Sequence, residues 1–268
     1  MNFLLEAFNN ANRGDEFYTR YGDIEKELSN YNFSGMIVYC NCDNPDSSNF
    51  VKYFKDNFDK LGLKCLLATF DGSPSFMYRY DGINVTKRGI PSGKFQDNTN
   101  IFGICDIVVT NPPFSSGAPS SFIKSVMSAG KKFIIVGPMT LGLKKDMIPL
   151  LSSGQLNCGY NVVRNFDTPT GEGGKITTFW WTNMPVEKPE LPLRAHYNES
   201  MYQTYDNYDA INCDKIELIP NDYDGAIGVP ISFIRYFNPN QFNIHGVLSV
   251  PIIDGKRKMS RIIISKKR

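Results

Sequence analysis

The chain has few of the residues on which several common kinds of catalytic chemistry depend. Among its 268 residues there are only two histidines, His196 and His245, so the chain offers few candidates for a histidine general base. The six cysteines are scattered, and Cys40 and Cys42 lack the two-residue spacing of a zinc site. We therefore expect buried thiols in a reducing compartment and no metal site.

Two further absences bear on where the protein works. No hydrophobic run approaches the length of a membrane-spanning helix, and the first residues, with Glu6 and several asparagines, do not read as a signal peptide. We expect a cytoplasmic protein with no membrane partner. The formal net charge of +2 is nearly neutral and does not by itself indicate a nucleic-acid binder.

Positive charge is instead concentrated near the end of the sequence. The residues that carry it are Lys256, Arg257, Lys258, Arg261, Lys266, Lys267 and Arg268. Two interpretations of this run stay open: a solvated or disordered tail, and a surface that contacts phosphates.

Strand-like and helix-like segments alternate along the chain. The predicted strands cover residues 36–40, 64–70, 107–109, 132–136 and 177–181, and the predicted helices cover 23–28, 50–61, 120–129 and 144–151. Residues 73–100 read as irregular, with short strand-like pieces around 76–80. Strands that alternate with helices predict an α/β fold with a doubly wound, mostly parallel sheet.

The predicted strand at 107–109 ends in Asn111-Pro112-Pro113-Phe114. The two prolines prevent further ladder pairing and fix a rigid corner. That corner lies at the carboxyl end of a strand, where open α/β sheets bind their ligands. The Asn111 amide oxygen and the Pro112 carbonyl can accept hydrogen bonds from a planar amino group, and Phe114 can stack on its ring. The alternative is an ordinary turn that ends a strand.

Such a clamp suits methyl transfer to an amino group on a conjugated ring. The lone pair of the adenine amine is delocalised, and two acceptors on its hydrogens favour the pyramidal geometry that directs the lone pair at a methyl donor. The acceptors then stabilise the positive charge that develops on the nitrogen. No strong general base is needed. This is the chemistry of amino-methyltransferases that use S-adenosylmethionine and release S-adenosylhomocysteine.

The donor would lie over the ends of the first strands. The loop from Asn41 to Ser48 precedes a predicted helix, so its amides and the helix N-terminus can receive the methionine carboxylate. Asp71, just after the second strand, is placed to accept from ribose hydroxyls. The glycine-rich loop usual in methyltransferases is missing, however, and Asp43 and Asp71 are also ordinary turn residues.

Several separate segments resemble the EcoRI-type family of adenine-specific DNA methyltransferases. These segments are residues 15–20 with 23–28, 38–45 with 48–50, 106–115, 205–212, 222–225, 228–233 and 238–242. They span nearly the whole chain, and their joint occurrence is more specific than any one motif.

The resemblance implies a monomeric class I, Rossmann-like methyltransferase that modifies the 6-amino group of adenine in double-stranded DNA after flipping the base. A cognate restriction enzyme is a further partner that it allows. The motif order, donor loop first and clamp second, predicts a catalytic core at residues 1–185 and leaves a C-terminal extension at 186–268 for target recognition. The resemblance also assigns roles to single residues. It places Asn111, Pro112, Pro113 and Phe114 in catalysis. The donor site would be lined by Phe17, Tyr18, Thr19, Asn41, Cys42, Asp43 and Asn44.

The pattern departs from the family at Gly93-Lys94-Phe95, where Gly-Asp-Phe is expected. Lys94 stands in place of the acid, and Asp97 could take over its role. The tyrosines of block 202–208 could pack or could contact bases, and residues 167–174 are a candidate loop over DNA.

Two other functions stay open: methylation of guanine in ribosomal RNA or of glutamine in protein, and a non-catalytic DNA-binding relative.

Overall fold

The computed structural model describes residues 18–112, 118–167 and 174–267, which form two compact units. The first consists of the described residues up to Pro138 together with Gly159–Met184. The second consists of Met139–Cys158 and the described residues from Pro185 onward. The second unit is therefore built from an internal segment as well as from the C-terminal part.

The first unit contains a nine-stranded sheet with helices. Its strands are β1 (Tyr18–Thr19), β2 (Ile37–Cys40), β3 (Cys65–Phe70), β4 (Phe76–Tyr80), β5 (Val85–Gly89), β6 (Ile107–Thr110), β7 (Lys132–Pro138), β8 (Asn157–Asp167) and β9 (Gly174–Thr182). Its helices are α1 (Tyr21–Leu28), α2 (Asn49–Asp56), α3 (Phe58–Leu61) and α4 (Ala118–Ser128), with a 3-10 segment at Phe95–Gly103. The strand order is β1-β8-β9-β7-β6-β2-β3-β4-β5.

The sheet is mixed, with a parallel centre. Strands β3, β2, β6 and β7 are adjacent and parallel. Helices α2 and α3 lie between β2 and β3 along the chain, and α4 lies between β6 and β7, whereas β3 and β6 are connected through the strands β4 and β5 and the 3-10 segment. Strand β9 pairs with β7 in the antiparallel sense, as do β4 with β3, β5 with β4, and β1 with β8. The α/β prediction is confirmed. The predicted parallel pairing is found at the centre of the sheet, whereas the strands on both sides of that centre pair in the antiparallel sense.

The largest difference from the sequence prediction lies in residues 73–100. The strand-like piece predicted around 76–80 is strand β4, and it forms a hairpin with β5, which was not predicted. Asp81 holds the turn, since its Oδ1 accepts from the N–H groups of Ile83 (3.1 Å) and Asn84 (2.7 Å). Every residue of β5 is exposed, so this strand carries no alternation of apolar and polar residues that would reveal it. Strand β8 was likewise not predicted.

The predicted helix over 50–61 is present but broken. Asn57, with φ −110°, separates α2 from α3, and Gly62 ends α3 in the left-handed conformation at φ +61°. The apolar positions Phe50, Val51, Phe54 and Phe58 are all buried, as their helical spacing predicts.

Strand β9 shows that the sheet is covered on both faces. Trp180 and Trp181 are neighbours on this strand, so their side chains point to opposite faces. Both are fully buried. Trp180 packs edge-on against Phe50 of α2, with ring centroids 5.9 Å apart.

The second unit is built around a smaller sheet. Its strands are β10 (Thr204–Tyr205), β11 (Tyr208–Asn212), β12 (Ile227–Val229), β13 (Phe242–Leu248) and β16 (Arg261–Lys266), in the order β10-β11-β12-β16-β13. The hairpin β14 (Ile252–Ile253) and β15 (Lys256–Arg257), helix α5 (Ile148–Ser152) and 3-10 turns complete it. In the part of the chain that the structure describes, no helix is long and apolar enough to cross a membrane.

Candidate active site

Three of the residues predicted from sequence lie at one edge of the first unit's sheet. Asn41 follows β2, Asp71 follows β3 and Asn111 follows β6. These strands are adjacent and parallel, with Cys40 paired to Ala68 and Tyr39 to Val108. Their carboxyl ends therefore meet at the same edge, where ligands bind in open α/β sheets.

The short strand β1 is brought to the loop after β2. Asn49, the first residue of α2, donates its side-chain amide to the carbonyl of Thr19 at 2.9 Å. The Thr19 hydroxyl is buried and has no hydrogen-bond partner among the described residues. Tyr18 and Thr19 are thus close to the N-terminus of α2, as the predicted donor site requires. Phe17 lies outside the described residues.

The loop between β2 and α2 has a tight, capped conformation. Cys42 adopts φ +60°, and the Asn44 side chain accepts from the N–H of Asp46 at 3.0 Å in a local turn. Ser48 caps α2, since its hydroxyl accepts from the N–H groups of Phe50 and Val51. Two of the amides that a bound carboxylate could use at this helix are therefore taken by Ser48.

The side chain of Asn41 is directed into the sheet. Its amide donates to the Tyr39 hydroxyl at 2.6 Å, and this hydroxyl is also bonded to Thr69 at 2.8 Å. The Cys42 thiol donates to the Asn41 amide oxygen at 2.8 Å. The bond between Tyr39 and Thr69 joins β2 to β3, and Asn41 is linked to it through the Tyr39 hydroxyl, with all three residues fully buried.

Asp43 connects this loop to β6. Its Oδ1 accepts from the Ser48 hydroxyl at 2.6 Å, and its Oδ2 lies 2.8 Å from the Thr110 hydroxyl. Burial raises the pKa of Asp43 to about 7, against the lowering effect of the bonds to Ser48 and Thr110. Sequence analysis gave no role to Ser48 or Thr110. Two features of the sequence could have indicated them: Ser48 stands just before a predicted helix, and Thr110 is a polar residue at the end of an apolar strand.

Asp71 is exposed beyond β3, and its Oδ1 accepts from the N–H of Gly93 at 3.1 Å. Gly93 packs so closely on the backbone of Phe70 and Asp71 that an added Cβ would lie 2.3 Å from it. Only glycine fits there, which explains this residue of the family-like motif. The next residue, Lys94, is exposed, as is Asp97.

The clamp is described in part. Asn111 is half-buried and Pro112 is buried directly after β6, so the amide and the first proline stand where the sequence predicts. Pro113 and Phe114 lie outside the described residues, as do positions 168–173 of the predicted loop at 167–174. No group of three or more potential metal ligands occurs in the described ranges.

In the second unit, the tyrosine block is mostly structural. Tyr202 donates to the carbonyl of Leu218 at 2.8 Å, and the buried Tyr205 donates to Asn212 at 2.7 Å. The Tyr205 side chain fills the space beside Gly228, where an added Cβ would lie 2.2 Å from the Tyr205 hydroxyl oxygen.

The C-terminal cations fall into different groups. Arg261 is buried, and it donates to Asp214 at 2.6 Å and to Asn212 at 3.2 Å. The Lys266 ammonium donates to the carbonyl of Asn221. Both belong to β16, so this part of the run is an ordered strand and the disordered-tail interpretation is wrong for it. Residues 256–258 are exposed.

The profile of the family described as adenine-specific methyltransferase EcoRI matches residues 5–89 and 84–267. The chain belongs to the EcoRI family of adenine-specific methyltransferases. This confirms the resemblance that the separate motifs indicate, and it identifies an adenine-specific enzyme. It does not favour the guanine-modifying, glutamine-modifying or non-catalytic alternatives.

Individual relatives agree with this family membership. The chain is 37% identical to the Type II methyltransferase M.EcoRI of Escherichia coli, over 96% of this chain and 94% of that protein. It is 31% identical to the Type II methyltransferase M.MgeORF184P of Mycoplasma genitalium, over 98% and 100% of the two chains. It is 29% identical to M.MpnI of Mycoplasma pneumoniae, over 98% and 99%. No solved structure matches the chain significantly.

Proposed function

We propose that this enzyme transfers a methyl group from S-adenosylmethionine to the 6-amino group of adenine within a specific sequence of double-stranded DNA. The observation that carries the proposal is the position of Asn111-Pro112 at the end of β6. This places two acceptor oxygens at the same sheet edge as the loop after β2 and Asp71. A methyl donor and an amino acceptor can meet there.

The clamp acts by accepting hydrogen bonds and not by removing a proton in advance. The Asn111 amide oxygen and the Pro112 carbonyl accept the two hydrogens of the amine, and they stabilise the charge that forms on nitrogen during transfer. The adenine amine is buried inside a duplex, so the base must be flipped into the site. Phe114 is assigned to stack on the flipped ring, which offsets the few kcal/mol that unstacking costs.

The donor site is assigned to the groups around the N-terminus of α2. The buried Thr19 hydroxyl, without a partner among the described residues, suits a polar atom of the donor. Asp71 is exposed beyond β3, with one carboxylate oxygen on Gly93 N–H, and it can accept from ribose hydroxyls with the other. Phe17, Tyr18 and the main-chain amides of the loop from Asn41 to Asn44 complete this assignment. The sheet is taken to be the doubly wound, Rossmann-like sheet of class I methyltransferases.

Target recognition is assigned to the C-terminal extension, residues 186–268, with residues 1–185 as the catalytic core. In the extension the exposed cations Lys256, Arg257 and Lys258 suit phosphate contacts. The hairpin that carries them is anchored by several bonds. Asp206 accepts from the N–H of Gly255 at 2.8 Å, and Asn207 accepts from the N–H of Ile252 at 3.1 Å. We also propose a cytoplasmic monomer that belongs to a restriction–modification system.

The direct test is to sequence DNA from cells that express the protein, with a read-out that distinguishes N6-methyladenine. One modified adenine in one sequence context is expected, and it should be absent from cells that express Asn111→Ala. Purified protein with labelled donor should label duplex DNA in preference to ribosomal RNA or protein. Labelling of RNA or protein instead of DNA would overturn the proposal.

A further inference from the structure

The hydroxyl of Thr110 lies between two oxygens, each of which is within hydrogen-bond distance. Thr110 is fully buried at the end of β6, directly before Asn111. Its Oγ1 is hydrogen-bonded to the main-chain carbonyl of Asn41 and lies 2.8 Å from Oδ2 of Asp43. A threonine hydroxyl has a single proton, so it can donate to only one of these oxygens.

The other oxygen of Asp43 has a donor of its own. Oδ1 lies 2.6 Å from the Ser48 hydroxyl. The lone pairs of that hydroxyl accept from the N–H groups of Phe50 and Val51, which leaves its proton for Asp43. Oδ1 is therefore an acceptor, and the oxygen that faces Thr110 is the one that can carry a carboxyl proton.

Counting protons then distinguishes the two charge states of Asp43. If the carboxyl is ionised, the Thr110 proton satisfies either Asp43 or the Asn41 carbonyl, and the other contact joins two acceptor oxygens with no hydrogen between them. If the carboxyl is neutral, Asp43 donates to Thr110 and Thr110 donates to Asn41. Only the neutral form satisfies every contact in the chain of bonds.

The surroundings of Asp43 agree with this count. No lysine or arginine of the described ranges forms an ion pair with it, whereas Asp46 in the same loop pairs with Lys87 at 3.0 Å. Burial raises the pKa of Asp43 to about 7. The Cys40 thiol is a titratable group that faces Asp43, and burial raises the pKa of this thiol, so it stays neutral and brings no compensating charge.

We propose that Asp43 works in its neutral form as a positioning residue, whose proton joins the loop after β2 to the strand end that carries Asn111. Asp43 therefore acts through Thr110 and does not balance a positive charge of the methyl donor. This inference rests on the proposed function in one respect: the kinetic effects are measured as rates of methyl transfer.

The deciding experiment compares Asp43→Asn with Asp43→Ala. An asparagine can donate from Nδ2 to Thr110 and accept from Ser48 through Oδ1, so it imitates the neutral acid. Asp43→Asn should keep kcat and the calorimetric donor affinity within about threefold of the wild type. Asp43→Ala should lower kcat about tenfold or more, because the clamp is displaced, with a smaller change in donor affinity. A loss of donor affinity of tenfold or more in Asp43→Asn would show that the charge is needed, and would overturn the proposal.

A second pair of variants tests the Thr110 link separately. Thr110→Val keeps the shape but removes the hydroxyl, and it should lower kcat with little change in KM for donor or DNA. Thr110→Ser restores the hydroxyl and should recover most of the rate. Equal rates in Thr110→Val and the wild type would refute the link. Thermal unfolding of each variant separates a displaced clamp from a damaged fold.

The protonation state can also be measured without any substrate. At pH 6 the infrared carbonyl stretch of a protonated carboxyl should be present in the spectrum of the wild type and missing from that of Asp43→Asn, so it should remain in the difference between the two. Its absence would overturn the inference, whatever the enzyme methylates. If the band and the donor affinities follow expectation while adenine in DNA is not modified, the proposed function fails and the charge state of Asp43 stands.

Discussion

Glu27 and Asn161 are 134 residues apart in the chain, and two hydrogen bonds join them. The main-chain N–H of Asn161 donates to Oε2 of Glu27 at 2.8 Å, and its side-chain amide donates to the same oxygen at 2.9 Å. Oε1 accepts from the N–H of Tyr160 at 3.0 Å and from the Tyr31 hydroxyl at 2.9 Å. A fully buried carboxylate thereby ties α1 to β8. Its role is structural, although it lies in a family-like segment near the donor residues.

Glu27→Ala should lower the free energy of unfolding by about 3 kcal/mol, because it leaves several buried donors without an acceptor. Urea denaturation measures this change. Glu25→Ala is the matched control, since Glu25 is exposed on the same helix and should change stability by no more than about 0.5 kcal/mol. Equal stability of the two variants would mean that the carboxylate does not hold α1 to β8.

Asn111→Ala should reduce the methylation rate by about 10²-fold or more, since it removes one of the two acceptors that stabilise the developing charge. Donor affinity, measured by calorimetry, should stay within about threefold of the wild type, because the amide contacts the acceptor amine and not the donor. Labelling of DNA at a rate near that of the wild type would remove Asn111 from catalysis.

Thr19→Val and Asp71→Asn should both weaken binding of S-adenosylmethionine. The valine keeps the buried shape of Thr19 but has no hydroxyl, and we expect about tenfold lower affinity. Asparagine at position 71 keeps an oxygen for the N–H of Gly93 but loses the charge offered to the ribose. Calorimetry on each variant measures the change, and thermal unfolding without donor should be unaltered. Unchanged affinity in both variants would place the donor elsewhere.

Replacing Lys256, Arg257 and Lys258 together by glutamine should weaken DNA binding at low salt and flatten its salt dependence. Each lost phosphate contact reduces the slope of log K against log salt by about 0.9. Fluorescence anisotropy over a salt series measures the slope. Arg261 is left unchanged, since its guanidinium is buried and bonded to Asp214.

The control for that variant removes the same charge from exposed lysines of the first unit, which are Lys26, Lys60 and Lys64. Their loss should leave the slope nearly unchanged. If both triple variants alter the slope equally, the effect reflects net charge and the hairpin has no special contact with DNA. Point variants are preferable to truncation at residue 185, because truncation would leave residues 139–158 without the rest of their unit.

The stability of the fold should fall as pH rises from about 4 to about 7, through the contribution of Asp43. Burial raises the pKa of Asp43 from 3.8 to about 7 in the folded protein, so between these values the folded state binds more protons than the unfolded state. Stability then decreases with pH by at most about 1.4 kcal/mol per pH unit from this group. Urea unfolding of the wild type and Asp43→Asn across this range should give converging curves at low pH and diverging curves above. Parallel curves would contradict the raised pKa.

Local patterns in the sequence were sufficient to predict the centre of the fold. Runs such as 107–109 are rich in β-branched residues, and apolar positions at helical spacing mark residues 50–61. Gly62 and Pro112 act on the backbone within a few residues, so the end of α3 and the end of β6 follow from them directly. The position of Asn111 at a strand end could therefore be read from the chain alone.

The partners of these elements could not be read in the same way. Strand β5 is wholly exposed and β1 has only two residues, so neither carries a periodic signal. The run of C-terminal cations looks uniform in sequence, yet Arg261 is buried while Lys256 is exposed, because Arg261 belongs to the five-stranded sheet and Lys256 to the two-stranded hairpin.

The sequence by itself determined an α/β methyltransferase core with a clamp at a strand end, since those properties depend on short-range conformational preferences and on motifs that the family shares. The tertiary structure alone decided which side chains meet. Contacts such as Thr110 with Asp43 and Glu27 with Asn161 join segments about 70 and 130 residues apart. Bonds over such separations are formed by the packing of the whole sheet, and no local pattern encodes them.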